Sequence, residues 1–244
     1  DAQPVVLPKQ QINRTIKIYG DQIPVNVLMF KDTEQEGIDI TANLKQSSTS
    51  DYKYSYTCTT DGFLTFDTSG DHKVKFIITF ENNGILETVE KTITVCQLEI
   101  INTNYSFIAD EYYIIENADF EDSYVYDNGY YMKTKASPDY STLFKIIPSD
   151  NKYKIQNVSS QNYVSVSAGL YDASLPIYTN NTNATPFELT YANNAFTIKG
   201  TVTSGTFYWN LTNTSSNLNG IKDTNGNNNH PNWKIYKVTL PTNN

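Results

Sequence analysis

The apolar and aromatic positions between residues 112 and 238 recur in three similar segments. Each segment opens with an aromatic residue that is followed two positions later by isoleucine, at Tyr113, Tyr153 and Phe196. These isoleucines are 40 and 43 residues apart. Each segment closes with another aromatic residue in an alternating run, at Phe144, Phe187 and Trp233. Similar spacings held over three segments indicate an internal repeat.

Four short runs in each segment alternate apolar and polar residues, as half-buried strands do. The middle runs are centred near Val125 and Met132, Val164 and Ile177, and Trp209 and Ile221. Three units of four strands suit a closed barrel with a hairpin cap, because closure leaves no exposed edge strand. The pattern therefore predicts an all-β domain over residues 112–240.

The closing run of each segment resembles the repeat ends of the ricin-type lectins, which carry a Gln-x-Trp signature. The corresponding triplets are Thr142-Leu143-Phe144, Thr185-Pro186-Phe187 and Pro231-Asn232-Trp233. They keep the aromatic residue three times and lack the glutamine three times. The resemblance covers roughly the last 130 residues and implies a C-terminal β-trefoil with three repeats and a lectin-like function.

The first part of the chain also consists of strand-like runs, without a repeat. The run from Tyr52 to Cys58 alternates strictly, and His72 to Phe80 forms a longer strand. Asn83-Gly84 is a strong hairpin-turn signal. About seven short strands in about 95 residues suit a two-sheet sandwich.

The end of this part resembles bacterial Ig-like domains, on Gly70, Val74, Phe76, Gly84 and the run Thr92–Val95. In such families the module is usually a spacer. We therefore expect an N-terminal Ig-like β-sandwich at residues 1–100, a connector at 101–111 and the β-trefoil at 112–240.

Composition bears on location and partners. The chain carries a net charge of −8 and no basic cluster, which argues against a nucleic-acid partner. No run of about 18 apolar residues occurs, so no transmembrane helix is predicted. The polar, proline-bearing opening and the 19 tyrosines resemble surface lipoproteins of Gram-negative bacteria. This resemblance implies an extracytoplasmic protein, secreted or attached to the outer membrane by a lipid, and we expect a monomer.

Cys58 and Cys96 are the only cysteines, and both fall in the first domain. An exported protein permits a disulfide between them, and two separate buried thiols are the alternative. Strand alternation does not decide between the two. Two cysteines without a nearby histidine pair are too few for a zinc site, so we expect no metal and no cofactor.

Catalytic chemistry is poorly represented. His72 and His230 are the only histidines, and neither belongs to a convincing Ser/His/Asp arrangement. There is no His-x-x-x-His pair and no glycine-rich phosphate loop. We therefore expect that the protein is not an enzyme.

The resemblance to ricin-type lectins points to sugar-binding positions. Their pockets combine an aspartate from the second strand, a ring from the third and an amide downstream. The aspartate positions hold Tyr126, Ser165 and Asn210, and the ring positions hold Lys133, Tyr178 and Lys222. Because only the second repeat keeps a ring, the resemblance implies a site built from Tyr171, Asp172, Tyr178 and Asn181.

Trp209 is a further candidate, because either it or Tyr208 faces outward in an alternating strand. An outward Trp209 would offer a stacking platform, and an inward one would be core. A ring covers the apolar C–H face of a sugar, while carboxylate and amide groups bond to its hydroxyls.

Three function classes remain open from the sequence. The first is a non-catalytic surface protein that binds a glycan through the β-trefoil. The second is a cell-adhesion or scaffold protein that binds another protein through the trefoil loops or a sandwich edge, with no sugar pocket. The third is a trefoil-type protease inhibitor, which would need one long projecting loop.

Overall fold

A computed structural model describes residues 5–48, 52–166, 174–180, 182, 184–203, 205–222 and 229–240. Over these residues the chain is all-β, as predicted, with 21 strands and two single 3-10 turns, Thr41–Asn43 and Tyr140–Thr142. No helix in this part of the chain is long and apolar enough to cross a membrane. Contacts divide the chain into two compact units, of which the first ends at Cys96 and the second begins at Gln97.

The first unit consists of two sheets. Its strands are β1 (Thr15–Gly20), β2 (Pro24–Lys31), β3 (Ile38–Asp39), β4 (Leu44–Ser47), β5 (Tyr54–Thr59), β6 (Gly70–Phe80), β7 (Ile85–Glu87) and β8 (Lys91–Val95). One sheet has the order β1-β5-β4, and the other has the order β3-β2-β6-β7 with β8 also paired to β6. The predicted turn joins β6 to β7, and Asn83 takes a positive φ of 63° there.

Alternate side chains of the two sheets form one apolar core, which includes Val27, Met29 and Ile78. Both cysteines are buried and unbridged, so the structure contains separate thiols rather than a disulfide. The Sγ of Cys58 donates a hydrogen bond to the Ile40 carbonyl oxygen at 3.4 Å. Burial raises the pKa of Cys58 to about 11, so this thiol is protonated at neutral pH and a poor nucleophile.

His72 is a buried polar contact of the first unit. Its Nδ1 lies 2.8 Å from the Asp32 carboxylate and its Nε2 lies 2.9 Å from the Thr68 carbonyl oxygen. Its ring stacks on Phe66 with 4.2 Å between centroids. Because both partners are acceptors, only the protonated imidazolium donates to both at once.

This geometry makes the stability of the first unit pH-dependent. Burial opposes the charged ring, but the bonds to Asp32 and Thr68, with the field of Asp71, raise the pKa of His72 above its usual 6.5. A raised folded-state pKa gives stability that is complete below about pH 6.5 and is lost as pH rises through the folded value. We therefore expect calorimetry to show that the melting temperature of this unit falls as the pH rises above about 6.5.

The variant His72→Gln is the control, because it keeps one hydrogen bond and cannot titrate. It should be less stable than wild type by about 1–3 kcal/mol at pH 6 and should lack the decline above it. A wild-type profile that stays flat across this range would contradict the assigned charge state.

The second unit holds the remaining strands. They are β9 (Gln97–Ile100), β10 (Tyr112–Asn117), β11 (Tyr124–Asp127), β12 (Met132–Lys135), β13 (Phe144–Ser149), β14 (Lys152–Asn157), β15 (Tyr163–Val166), β16 (Ser174–Asn180), β17 (Phe187–Ala192), β18 (Ala195–Val202), β19 (Gly205–Asn210), β20 (Asn219–Ile221) and β21 (Trp233–Thr239).

Six of these strands form a closed ring. Antiparallel pairing runs β10-β13-β14-β17-β18-β21, and β21 returns to β10. Three hairpins connect ring strands that follow each other in the chain. The hairpin β11–β12 connects β10 to β13, β15–β16 connects β14 to β17, and β19–β20 connects β18 to β21. Closure gives each ring strand a partner on both sides. Past Trp233, the side of β21 that meets β18 pairs with β9, which lies outside the ring.

One cross-strand contact of this ring occurs three times. The facing pairs are Tyr113 with Phe144, Tyr153 with Phe187, and Phe196 with Trp233. The second member of each pair is fully buried. The alignment predicted for the three closing aromatics agrees with this pairing.

The start of the second unit differs from the predicted division. Strand β9, which was assigned to the sandwich, pairs with β21 of the second unit. Ile101 and Phe107, which were assigned to a connector, lie in the core of the second unit. The ring of Phe107 meets Tyr113 and Phe196 with centroid distances of 5.2 and 5.8 Å. The physical reason is burial of these apolar side chains in the core of the second unit.

Candidate functional site

Of the five residues predicted for sugar binding, Tyr178 and Trp209 can be placed. Tyr178 lies in β16 opposite Ser165 of β15, and its side chain is half-buried. Tyr171, Asp172 and Asn181 lie outside the described residues. Tyr178 stays a candidate.

Trp209 is not a platform. Its side chain is fully buried, and its ring meets Phe187 and Trp233 edge-to-face with centroid distances of 5.4 and 6.0 Å. In β19 the buried phase is Phe207 and Trp209, whereas Tyr208 is half-exposed. The outward-facing alternative for Trp209 is wrong because its large apolar ring fills the barrel core.

The surface around Tyr178 contains two further tyrosines from the β11–β12 hairpin. Tyr131 forms an isolated antiparallel bridge with Tyr178, and the Thr179 N–H donates to the Tyr130 carbonyl oxygen at 3.0 Å. The ring of Tyr130 is 4.5 Å from that of Tyr131 and 6.5 Å from that of Tyr178, measured between centroids. We call Tyr130, Tyr131 and Tyr178 the tyrosine cluster.

A single carboxylate holds the hairpin of the tyrosine cluster in place. Asp127 Oδ1 accepts from the Gly129 N–H at 2.7 Å and from the Thr179 hydroxyl at 3.0 Å. Its Oδ2 accepts from the Ser160 hydroxyl at 2.6 Å, with the Asn162 amide at 3.5 Å. Asp127 therefore ties together β11, the loop after β14 and β16.

The turn itself has a local cause. Asn128 Oδ1 accepts from the backbone N–H groups of Tyr130 and Tyr131 at 3.2 and 2.9 Å. Gly129 has a φ of 97°, a left-handed conformation that glycine adopts without strain. These contacts present Tyr130 outward, with 61% of its surface exposed.

Sequence reasoning missed part of this cluster. It placed Tyr126 at the aspartate position of the first repeat. The carboxylate that holds the hairpin in place belongs to the next residue, Asp127. The run Asp-Asn-Gly before Tyr130 and Tyr131 was an available turn signal. That these two tyrosines meet Tyr178 of another repeat depends on strand pairing.

Two further predicted positions, Asn210 of the third repeat and Lys133 of the first, contribute no ring to a site. Asn210 is fully buried, and its amide donates to Asn219 Oδ1 at 3.0 Å. Its Oδ1 accepts from the His230 N–H at 2.7 Å, so its contacts are internal. Lys133 forms an isolated bridge to Asn217. Neither position offers an exposed ring like that of Tyr130.

The tyrosine cluster combines one exposed ring, Tyr130, and two half-buried rings with several hydrogen-bonding groups. Rings suit apolar faces of a ligand, and the neighbouring hydroxyl and amide groups suit its polar edges. No group of three or more His, Cys, Asp or Glu that could hold a metal ion occurs in the described part of the chain.

Comparison with known proteins adds little. No protein-family model matches the chain, and no curated protein matches it. Among solved structures, the chain is similar to a lysenin pore, with 10% identity, 98% of this chain and 94% of that chain covered, and a TM-score of 0.38. It is also similar to lysenin in complex with phosphocholine, with 9% identity, 98% and 92% coverage, and a TM-score of 0.37. Neither similarity assigns a fold family or a function to this chain.

Proposed function

We propose that the second unit is a β-trefoil that binds carbohydrate without catalysis, at the tyrosine cluster. The closed ring of six strands and its three hairpins support the trefoil part of this proposal. The observation that carries the function is the exposed Tyr130 beside Tyr178, on a hairpin that Asp127 holds in a defined position.

The roles of the groups follow from their contacts. Tyr130 and Tyr178 would cover the apolar face of a sugar. Asp127 already accepts four hydrogen bonds, so its role is to position the site rather than to receive a sugar hydroxyl. Ser160 and Asn128 are exposed beside it and would supply the polar contacts.

The first unit is proposed to be an Ig-like spacer of an extracytoplasmic protein. Its support is the arrangement of eight strands in two sheets around one core. The proposal assigns ligand recognition to the second unit and gives the first unit no part in the sugar site.

The test is a titration of the whole chain with monosaccharides and host-type glycans, followed by NMR. Shallow sugar sites are weak, so we expect saturable shifts with a Kd on the order of 0.1–10 mM. Tyr130→Ala and Tyr178→Ala should each weaken binding at least tenfold while the melting temperature holds. Tyr140→Ala, at a tyrosine that is 48% exposed and outside the cluster, should bind like wild type.

Absence of saturable shifts in wild type would sink the carbohydrate proposal. The remaining candidate is then recognition of another protein, which one feature of the first unit favours. Ile85 and Leu86 of β7 are 71% and 50% exposed, and β7 ends its sheet. Exposed apolar residues on an edge strand are typical of strand-addition interfaces.

A further inference from the structure

The first unit contains an apolar cavity of about 290 Å³, separate from the tyrosine cluster of the second unit. Its apolar lining consists of Val6, Ile16, Leu64, Val74, Phe76 and Ile93. The cavity involves β1 from one sheet and β8 from the other. Ile16, Phe76 and Ile93 are only half-buried, so part of their apolar surface is available to a ligand.

The two charged residues that line the cavity are both basic, and outside the lining the Asp71 carboxylate accepts a hydrogen bond from Thr94 at 2.6 Å. Arg14 and Lys91 line it together with three threonines, and no Asp or Glu is among its lining residues. Both basic side chains are exposed, and neither forms an ion pair with a described residue. The carboxylate of Glu90, next to Lys91 in the chain, forms an ion pair with the Lys73 Nζ at 2.7 Å instead. In a chain with net charge −8, this local excess of positive charge favours an anionic ligand.

The volume limits the apolar part of that ligand. A dry cavity of about 150 Å³ takes benzene, which has six carbons. By the same ratio, about 290 Å³ takes roughly a dozen carbons. This is one medium-length acyl chain, and it is too little for a folded peptide segment or a two-chain lipid.

We propose that the first unit binds a single acyl chain with an anionic head group. The chain would lie against Ile16, Val74 and Ile93, and the head group would lie at Arg14 and Lys91. The source of such a ligand is either a free fatty acid or an anionic membrane lipid that inserts one chain. This site does not depend on carbohydrate binding in the second unit, so each proposal can fail alone.

The probe is dodecanoate, added to the whole chain below its micelle concentration and followed by calorimetry and NMR. We expect saturable binding with shifts at Ile16 and Ile93. Each buried methylene contributes about 0.8 kcal/mol, so decanoate should bind roughly tenfold more weakly. Dodecyltrimethylammonium, which has the same chain and a cationic head, should bind at least tenfold more weakly than dodecanoate.

The matched variants separate the head-group contact from general charge. Arg14→Glu with Lys91→Glu should weaken dodecanoate binding at least tenfold. Lys17→Glu with Lys45→Glu makes the same charge change at two exposed lysines of the first unit that do not line the cavity. That control should bind like wild type. Ile16→Phe, which fills the cavity, should also weaken binding if its melting temperature holds.

Vesicles of phosphatidylcholine with one-fifth phosphatidylglycerol distinguish the two sources. Co-sedimentation that Arg14→Glu with Lys91→Glu abolishes identifies an inserted lipid chain, and dodecanoate binding without co-sedimentation identifies a free acid. If folded wild type shows no saturable dodecanoate binding, the proposal is overturned. The edges of β1 and β8 would then remain as a place where a protein strand could be added. Equal binding by the two double variants would overturn the assigned head-group site.

Discussion

Replacing Trp233 by alanine is expected to lower the free energy of unfolding of the second unit by about 3–5 kcal/mol. The side chain is fully buried and meets Trp209 edge-to-face at 6.0 Å. Its indole N–H also donates to the Trp209 carbonyl oxygen at 3.3 Å. Alanine would leave a large cavity, because neighbouring barrel strands can collapse only partly, and it would remove the hydrogen bond to the Trp209 carbonyl.

Chemical denaturation followed by tryptophan fluorescence measures this effect cleanly. Both tryptophans, Trp209 and Trp233, belong to the second unit, so their emission reports on that unit alone. Trp209 remains as the reporter in Trp233→Ala. Tyr140→Ala, at an exposed position of the same unit, should stay within about 0.5 kcal/mol of wild type. A loss below 1 kcal/mol in Trp233→Ala would contradict the assigned register of β21.

The second large effect is expected at Asn157, a fully buried amide at the end of β14. Its Nδ2 donates to the carbonyl oxygens of Ser141 and Leu143 at 2.7 and 3.3 Å. Its Oδ1 accepts from the Ser160 N–H at 3.0 Å. Asn157→Ala leaves these backbone groups without the side-chain partner, so we expect a loss of about 2–4 kcal/mol.

The neighbouring Gln156→Ala is the matched control, because its amide makes one exposed contact, to the Gln161 carbonyl oxygen at 2.8 Å. Denaturation followed by tryptophan fluorescence should show a change below about 1 kcal/mol there. Asn157→Ala should also weaken sugar binding, since Asn157 holds the loop that carries Ser160. Equal stability of the two variants would show that the backbone groups find other partners.

In each of the first two repeats a buried asparagine side chain bonds to backbone groups, and the third repeat has no asparagine at this position. Asn117, four residues after Tyr113, donates to the His230 carbonyl oxygen at 3.0 Å and accepts from the Asp119 N–H at 3.0 Å. The corresponding residue of the third repeat is Gly200. A Cβ there would lie 2.9 Å from the Phe187 ring, so no side chain fits without movement. The repeats therefore share strand positions more closely than they share loop contacts.

The sequence alone was sufficient for features that depend on local alternation. Spacing of apolar residues indicated the all-β class, the strand positions and the alignment of Phe144, Phe187 and Trp233. These features follow from a period of two along each strand, which any single segment displays. The resemblance to ricin-type lectins made Tyr178 a candidate, because it stands at their ring position in the second repeat.

The tertiary structure decided which of two alternating phases faces inward and which distant residues meet. Alternation at Tyr208 and Trp209 fits either phase, and closure of the barrel buries Trp209. Strand β9 joined the second unit because β21 offered it a pairing edge. Asp127 and Tyr178 come from different repeats. The hydrogen bond from the Thr179 hydroxyl to Asp127 brings them close together. Such contacts depend on the register between strands far apart in the chain, which local sequence does not encode.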